Sequence, residues 1–549
     1  LVALPRPVEK GEEWKWLKKQ ISGTTRPAII LTHYFPTSRF MDRLPKGRVV
    51  AVLSGHWHGD QVAVYKGIYS VNSPTALMGS WDFSPASARV LRFAKGALDS
   101  LETVPFVIRR RLGVQVSRDG TVWVGGMSEK GEVPECVVAD KPVPLGRLSS
   151  YTWRGKLTSG KSSHDLVECT LGDLHRDLAV EWDDRSMARV AKQGKFNLQW
   201  GHNVPGRVVR GSPVAHGKVL LVPVRNLPDP AHNGAVYALS TDTGEVLWKH
   251  TMPTHTASRP AVYGAMAVVT EVTGDVWALR IRDGKVLWHF DMSARFPPGF
   301  VEHYVHVPPV LHNNTAWYCY QGGPFALELR HGEVVWAGRR FTSRDSFATG
   351  RGAIFGDHLY CGNFLAGLFR YDRTRDGDAP SRVDRNFLSS SDLLLNRSGL
   401  WGLGRGVLEQ LDPGNGEVLR RFSIQPYILP PTPVVGRDYA LLPDGHEGVY
   451  VLNLSSGKRR WSWSFQERPP MAFALNVHES SGLVATAPVR GGRVYVPGVD
   501  GTFTVLDLKK GKELSAFDIG VPVASRPEPD GDSVYVVDYA GTVYRYDRR

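Results

Sequence analysis

Three histidines raise the first chemical question. His56 and His58 stand two residues apart in Gly55-His56-Trp57-His58, directly after the apolar run Val49 to Leu53. His33 closes an earlier apolar run, Ala28-Ile29-Ile30-Leu31. In extended backbone, side chains two apart point to one side, so His56 and His58 should present their rings together. Gly55 lets the backbone approach a cation closely. Neutral imidazole is the commonest nitrogen ligand for zinc and similar ions. The spacing therefore predicts a metal site built from His33, His56 and His58. Asp60, two residues on, reads as a loop residue. Glu302-His303-Tyr304-Val305-His306 also carries ligand-type side chains, but its flanking prolines mark a loop between strands.

The elements that hold the histidines follow from periodicity. Trp14, Leu17 and Ile21 recur at spacings of three and four, which predicts a helix from Glu9 to Ile21. Glu12 and Glu13 lie early and Lys18 and Lys19 late, as the helix dipole prefers, and Gly23 is a natural stop. A second short helix is predicted near Ser38 to Leu44. Strand, loop, helix, strand, loop is half of an α/β layer with functional side chains at the strand ends.

This segment resembles the C-terminal half of a calcineurin-like metallophosphoesterase. In that family a strand ending in His precedes Gly-His-x-His, here Leu31-Thr32-His33 and Gly55-His56-Trp57-His58. Gly67-Ile68-Tyr69, Asn72-Ser73-Pro74, Asp82-Phe83-Ser84-Pro85 and Arg89-Val90-Leu91 are similar to its closing strands, so the likeness covers about residues 8–95. The resemblance implies two divalent cations (Mn, Fe or Zn), with His33 and His56 on one and His58 on the other. They would activate a bridging water against a phosphorylated substrate. It also implies that the remaining ligands and the general acid precede residue 1. Hydrolysis of phosphate mono- or diesters is then expected of a longer parent and not of these residues alone.

From Phe196 onward the sequence repeats, with a period in the ~40–50 residue range that marks propellers. One copy runs Gly234-Ala-Val-Tyr-Ala-Leu-Ser-Thr-Asp-Thr-Gly244-Glu-Val-Leu-Trp248. The turn glycine and the tryptophan four residues later recur as Gly284/Trp288, Gly332/Trp336 and Gly457/Trp461. Gly377, Gly416 and Gly511 mark copies that lack the tryptophan. Glycine supplies the turn and the tryptophan packs between neighbouring blades. Seven copies are complete. The tail holds two strands, Ser533 to Val537 and Thr542 to Tyr546, and Phe196 to Trp200 reads as their missing outer strand. The fold class predicted is mainly β: an eight-bladed propeller over 196–549, a β-rich connecting domain over 99–195, and a partial α/β sandwich over 1–98.

The repeats resemble the propellers of pyrroloquinoline-quinone enzymes and the quinone-free propeller of an outer-membrane assembly lipoprotein. The quinone enzymes often carry an adjacent cysteine pair, which this chain lacks, so no pyrroloquinoline quinone is expected. The propeller is expected to hold a substrate, protein or polymer partner near the hydrolytic site. A non-enzymatic binding scaffold is the second reading and a quinoprotein dehydrogenase the third.

Composition narrows these classes. The chain has 549 residues, 57 Gly and 37 Pro, a turn-rich composition suited to β structure. Its charge of +13 is scattered, with Arg109-Arg110-Arg111 the densest cluster, which does not favour nucleic acid. No run of ~18 apolar residues spans a membrane. Cys136 with Cys169, and Cys319 with Cys361, can pair or stay as buried thiols. Family habit implies a periplasmic or secreted location.

Overall fold

Alternating burial explains the first elements. In the helix Glu12–Ser22, Trp14, Leu17 and Ile21 are buried while the charged residues face out. The short helix Ser38–Arg43 begins where the Thr37 hydroxyl accepts a hydrogen bond from Phe40 N–H. The structure, a computed structural model, describes all residues except 9, 57, 77, 81, 158–163, 184–186, 191–193, 257, 296–306, 321–322, 340–349, 364–366, 385–390, 405, 426–430, 445–446 and 474–482.

By its internal contacts the chain forms two units. One holds Leu1–Val104, Arg225–Ala235 and His250–Arg437; the other holds Pro105–Val224, Val236–Lys249 and Asp438–Arg549.

In the first unit a five-stranded sheet runs in the order Val2–Leu4, Ala28–Thr32, Val49–Ser54, Ile68–Asn72, Gln61–Tyr65. The first four strands are parallel and the last antiparallel. Both helices pack on it through Leu17, Ile21, Phe40 and Met41, against Ile30 and Val52. His33, and the loop carrying His56 and His58, thus leave adjacent parallel strands at their carboxyl ends, where α/β sheets place ligands.

The second unit contains the connecting region from Pro105 onward, and the regular elements of its described residues are strands. Leu174–Trp182 and Ala188–Val190 occupy the stretch whose periodicity is ambiguous in sequence. They extend a sheet ordered Lys141–Pro142, Glu135–Val138, His164–Leu171, Leu174–Trp182, Ala188–Val190. Both cysteine pairs are disulfides, Cys136–Cys169 and Cys319–Cys361, so the thiol alternative is wrong. Cys136 and Cys169 are direct cross-strand partners, which brings their sulfurs together.

Among the described residues, eight antiparallel four-stranded sheets follow one another from Phe196 to the end. In the last, Phe196–Asn203 pairs with Thr542–Arg548, as the strand count of the tail predicts. The tryptophans have a defined job. The indole N–H of Trp288 donates to Leu329 O at 2.8 Å, that of Trp336 to Arg375 O at 2.7 Å, and that of Trp461 to Leu508 O at 2.8 Å. Each reaches the next sheet and satisfies its polar atom there, and the rings of Trp288 and Trp336 are buried. Gly332 has φ 77° and lies under Trp288, where an added Cβ would be 2.5 Å from Cε3.

Candidate functional site

Two of the three predicted ligands meet. His56 Nδ1 lies 2.9 Å from His33 Nε2, and Gly55 N–H donates to His33 O at 3.2 Å. The Tyr34 ring stands 4.2 Å from that of His56. The backbone is not extended here, as the sequence argument assumes. His56 has φ 64° and His58 φ 45°, a left-handed course that side chains other than glycine rarely take. The same-side argument, which needs extended backbone, therefore does not hold for His56 and His58. Among the described residues these three rings are not a group whose ligand atoms converge on one ion. Burial, then the neighbouring His33, lowers the pKa of both His56 and His58. Both rings are thus biased toward the neutral form.

Directly after the histidine loop comes a buried polar layer that the sequence reading missed. Asp60 lies in the loop, as the sequence reads, but is buried there, 1% exposed. It forms an ion pair with Arg89 on the strand Ser87–Ala94 and accepts from Asn226 Nδ2 at 2.6 Å. Its N–H donates to Asp82 Oδ2 at 3.2 Å. That same oxygen accepts from Arg225 Nη1 at 2.7 Å and from the Ser84 hydroxyl at 2.8 Å. Asn72 Nδ2 donates to Gly59 O at 2.6 Å and so ties the loop to the sheet.

The layer continues along the backbone. Leu227 N–H donates to Asn233 O, Asn233 N–H to Pro253 O, and Thr254 N–H to Glu271 Oε2. Burial, and after it the neighbouring Asp275, raises the Glu271 pKa well above its ordinary value. Among the described residues of this layer, Arg225 Nε and Nη2, Asn226 Oδ1, both amide atoms of Asn233 and Thr254 Oγ1 have no hydrogen-bond partner. A buried donor left without an acceptor costs ~1–3 kcal/mol, and such groups gathered in one layer suit an acceptor-rich ligand. One sequence signal existed: a charged Arg225 ending the apolar strand Val219–Arg225. Glu302 to His306 lie outside the described residues.

The family model described as outer membrane protein assembly factor BamB matches residues 186–390 and 463–549. The chain belongs to that family. A BamB-type propeller repeat is thus shown, as the repeat pattern predicts. Beyond the family model, the chain is similar to polyvinylalcohol dehydrogenase of Sphingopyxis sp. (strain 113P3), 26% identical over 233 residues. That match covers 39% of this chain and 31% of the relative, so the chain spans about a third of the relative's length. Among solved structures it is similar to the quinohemoprotein alcohol dehydrogenase of Comamonas testosteroni, with 13% identity and a TM-score of 0.50. That match covers 64% of this chain and 76% of the other. BamB of Moraxella catarrhalis matches at 12% identity and TM-score 0.46, over 64% and 99%.

These findings correct the hydrolase expectation. The curated relative is a dehydrogenase, and no metallophosphoesterase is indicated. The physical reason lies in the carboxylates. Asp60 and Asp82 are committed to Arg89 and Arg225, so neither is a bridging ligand beside His33, His56 and His58. The two-cation site and its phosphorylated substrate fall with that expectation. The expected absence of pyrroloquinoline quinone is corrected too, since the curated relative is a polyvinylalcohol dehydrogenase and a quinohemoprotein alcohol dehydrogenase is similar in fold. Quinones of that class bear carboxylates, and the unpartnered donors of Arg225, Asn233 and Thr254 fit such a group.

Proposed function

We propose that this BamB-family chain is a dehydrogenase of the quinoprotein type that oxidises an alcohol, a polymeric one included. The single observation that carries the reading is Arg225, 1% exposed with two guanidinium nitrogens unsatisfied. The likeness to a polyvinylalcohol dehydrogenase supports it. Arg225, Asn233 and Thr254 would hold the carboxylates of the quinone, which when bound supplies a two-electron acceptor for the alcohol carbon. Asp82 would keep Arg225 aimed while leaving its Nε and Nη2 for the ligand. In the same reading the eight sheets are blades of one ring closed by Phe196–Asn203 on Thr542–Arg548. Residues 1–98, 99–195 and 196–549 are its domains, and its location is periplasmic or secreted.

Titration of the full chain with pyrroloquinoline quinone and Ca²⁺, followed by tryptophan fluorescence and dye reduction with polyvinyl alcohol or a primary alcohol, tests this. Saturable quenching and alcohol-dependent dye reduction are expected, both lost in Arg225→Met. A wild-type protein that binds no quinone in the presence of the cation overturns the reading.

We also infer that His33 and His56 hold a single transition ion apart from any hydrolysis. The 2.9 Å His33–His56 approach of two nitrogens supports it. Elemental analysis after zinc loading should show metal that the His33→Ala/His56→Ala pair of substitutions removes, and unchanged content refutes it.

A further inference from the structure

The exposed face of the connecting-region sheet carries a group that neither the fold nor the dehydrogenase reading uses. On the antiparallel strands His164–Leu171 and Leu174–Trp182, Glu168 stands directly opposite Asp177, and Thr170 opposite His175. Residues two apart on a strand share a face, so His175 and Asp177 lie side by side with Glu168 across from them. One ligand atom from each of the three lies within 4.8 Å of the others. His175 Nε2 is 2.5 Å from Asp177 Oδ1. The opposite face buries Val167, Cys169, Leu171 and Val180, so this register is fixed and cannot slip without exposing the core. The disulfide Cys136–Cys169 further anchors the strand that bears Glu168.

A hydrogen-bonded imidazole–carboxylate pair accounts for His175 and Asp177 but not for Glu168. Like charges placed directly opposite across a strand pair repel and destabilise the sheet. Among the described residues Glu168 has no basic partner, and Asp177 has His175 alone. The one arginine between the latter two, Arg176, turns to the other face and pairs with Glu467 and Asp518. A cation between the carboxylates removes the repulsion.

We propose that Glu168, His175 and Asp177 bind one divalent ion of the zinc class. One imidazole nitrogen and two carboxylate oxygens suit zinc, copper or nickel rather than calcium or magnesium, whose ligands are all oxygen. Three protein ligands leave a coordination position to water. The ion acts as a clip across the two strands, and because it binds the folded chain alone it stabilises that fold by mass action.

The test uses the full-length chain with Co²⁺ as an absorbing probe and Zn²⁺ as competitor. One equivalent of Co²⁺ should develop visible bands that Zn²⁺ abolishes, and Zn²⁺ should raise the melting temperature. Losing a ligand costs no less than losing a supporting hydrogen bond, so His175→Ala and Glu168→Gln should each weaken binding ~10-fold or more. His33→Ala/His56→Ala should leave these bands in place, which separates this site from the histidine loop. All three positions face outward, and circular dichroism checks each variant. If His175→Ala does not fold, Glu168→Gln, nearly isosteric, decides. Wild-type affinity retained in the variant, or no bands and no thermal shift in the wild type, overturns the proposal. Dye reduction is not read, so failure here leaves the dehydrogenase reading untouched and the converse also holds.

Discussion

Arg225 Nη1 donates to Asp82 Oδ2 at 2.7 Å, and the two side chains are 1% and 0% exposed. Two charges removed from water this completely hold only as a pair. Deleting one leaves the other buried and uncompensated, which costs ~3–5 kcal/mol. Asp82→Ala should therefore lower stability by about that amount in urea unfolding. Asp82→Asn keeps an acceptor oxygen and should cost less. If Asp82→Ala unfolds with the wild-type midpoint, the pair does not hold the layer together.

The turn glycines predict a second contrast. Gly332 and Gly264 both have positive φ, 77° and 55°. A Cβ at Gly264 meets nothing within 4 Å, whereas at Gly332 it meets the Trp288 ring at 2.5 Å. Gly264→Ala should cost the left-handed penalty alone, ~1–2 kcal/mol. Gly332→Ala should cost that penalty and the displacement of the tryptophan, whose bond to Leu329 O would lengthen. Thermal melts of the two variants, compared directly, check the difference. Equal shifts would mean that the ring moves aside freely.

Gly332 and Trp288 also show what was legible in sequence. A turn glycine and a tryptophan four residues on recur because each sheet repeats the same local problem, and local problems leave a periodic trace. The strand-end positions of His33 and His56 were legible for the same reason. Their backbone was not: the i, i+2 rule assumes extension, and His56 and His58 turn left-handed instead. Asp82 and Arg225 are 143 residues apart, and nothing local couples them. Glu168 and His175 were hidden because Leu166 to Leu171 reads as a strand but Leu174 to Ala191 does not separate helix from loop, and only the cross-strand register brings the two together.

The disulfides give a third prediction. Cys136 and Cys169 close a segment of 33 residues, and a crosslink of this span is worth ~2–4 kcal/mol through the unfolded chain. Cys136→Ala/Cys169→Ala should lower the urea midpoint accordingly. A reducing agent should lower it further in the wild type, because Cys319–Cys361 is then opened as well. Paired cysteines suit an oxidising compartment. Identical unfolding curves with and without reductant would contradict this.

The last prediction concerns Asp538, fully buried, with burial raising its pKa to about 7. The folded chain keeps a proton that the unfolded chain has lost, so raising the pH favours unfolding. Its contribution is complete below the unfolded carboxylate value and disappears as pH climbs through about 7. Asp500, raised to about 6 by burial, acts in the same direction. Two half-buried histidines oppose both, because desolvation lowers the pKa of His202 and His250 and raising the pH relieves their cost. The overall slope is thus a mixture, and only a difference isolates Asp538. Its carboxyl accepts from Thr542 N–H at 2.9 Å and meets the Tyr544 hydroxyl at 3.3 Å. Asparagine can keep the first contact and place its amide nitrogen where the protonated oxygen stood. The stability of Asp538→Asn relative to the wild type should therefore rise between pH 5 and 7, by ~1.4 kcal/mol per pH unit at most, and level off above. Urea unfolding at three pH values measures it. A difference that stays constant with pH would mean that Asp538 is already ionised in the folded chain.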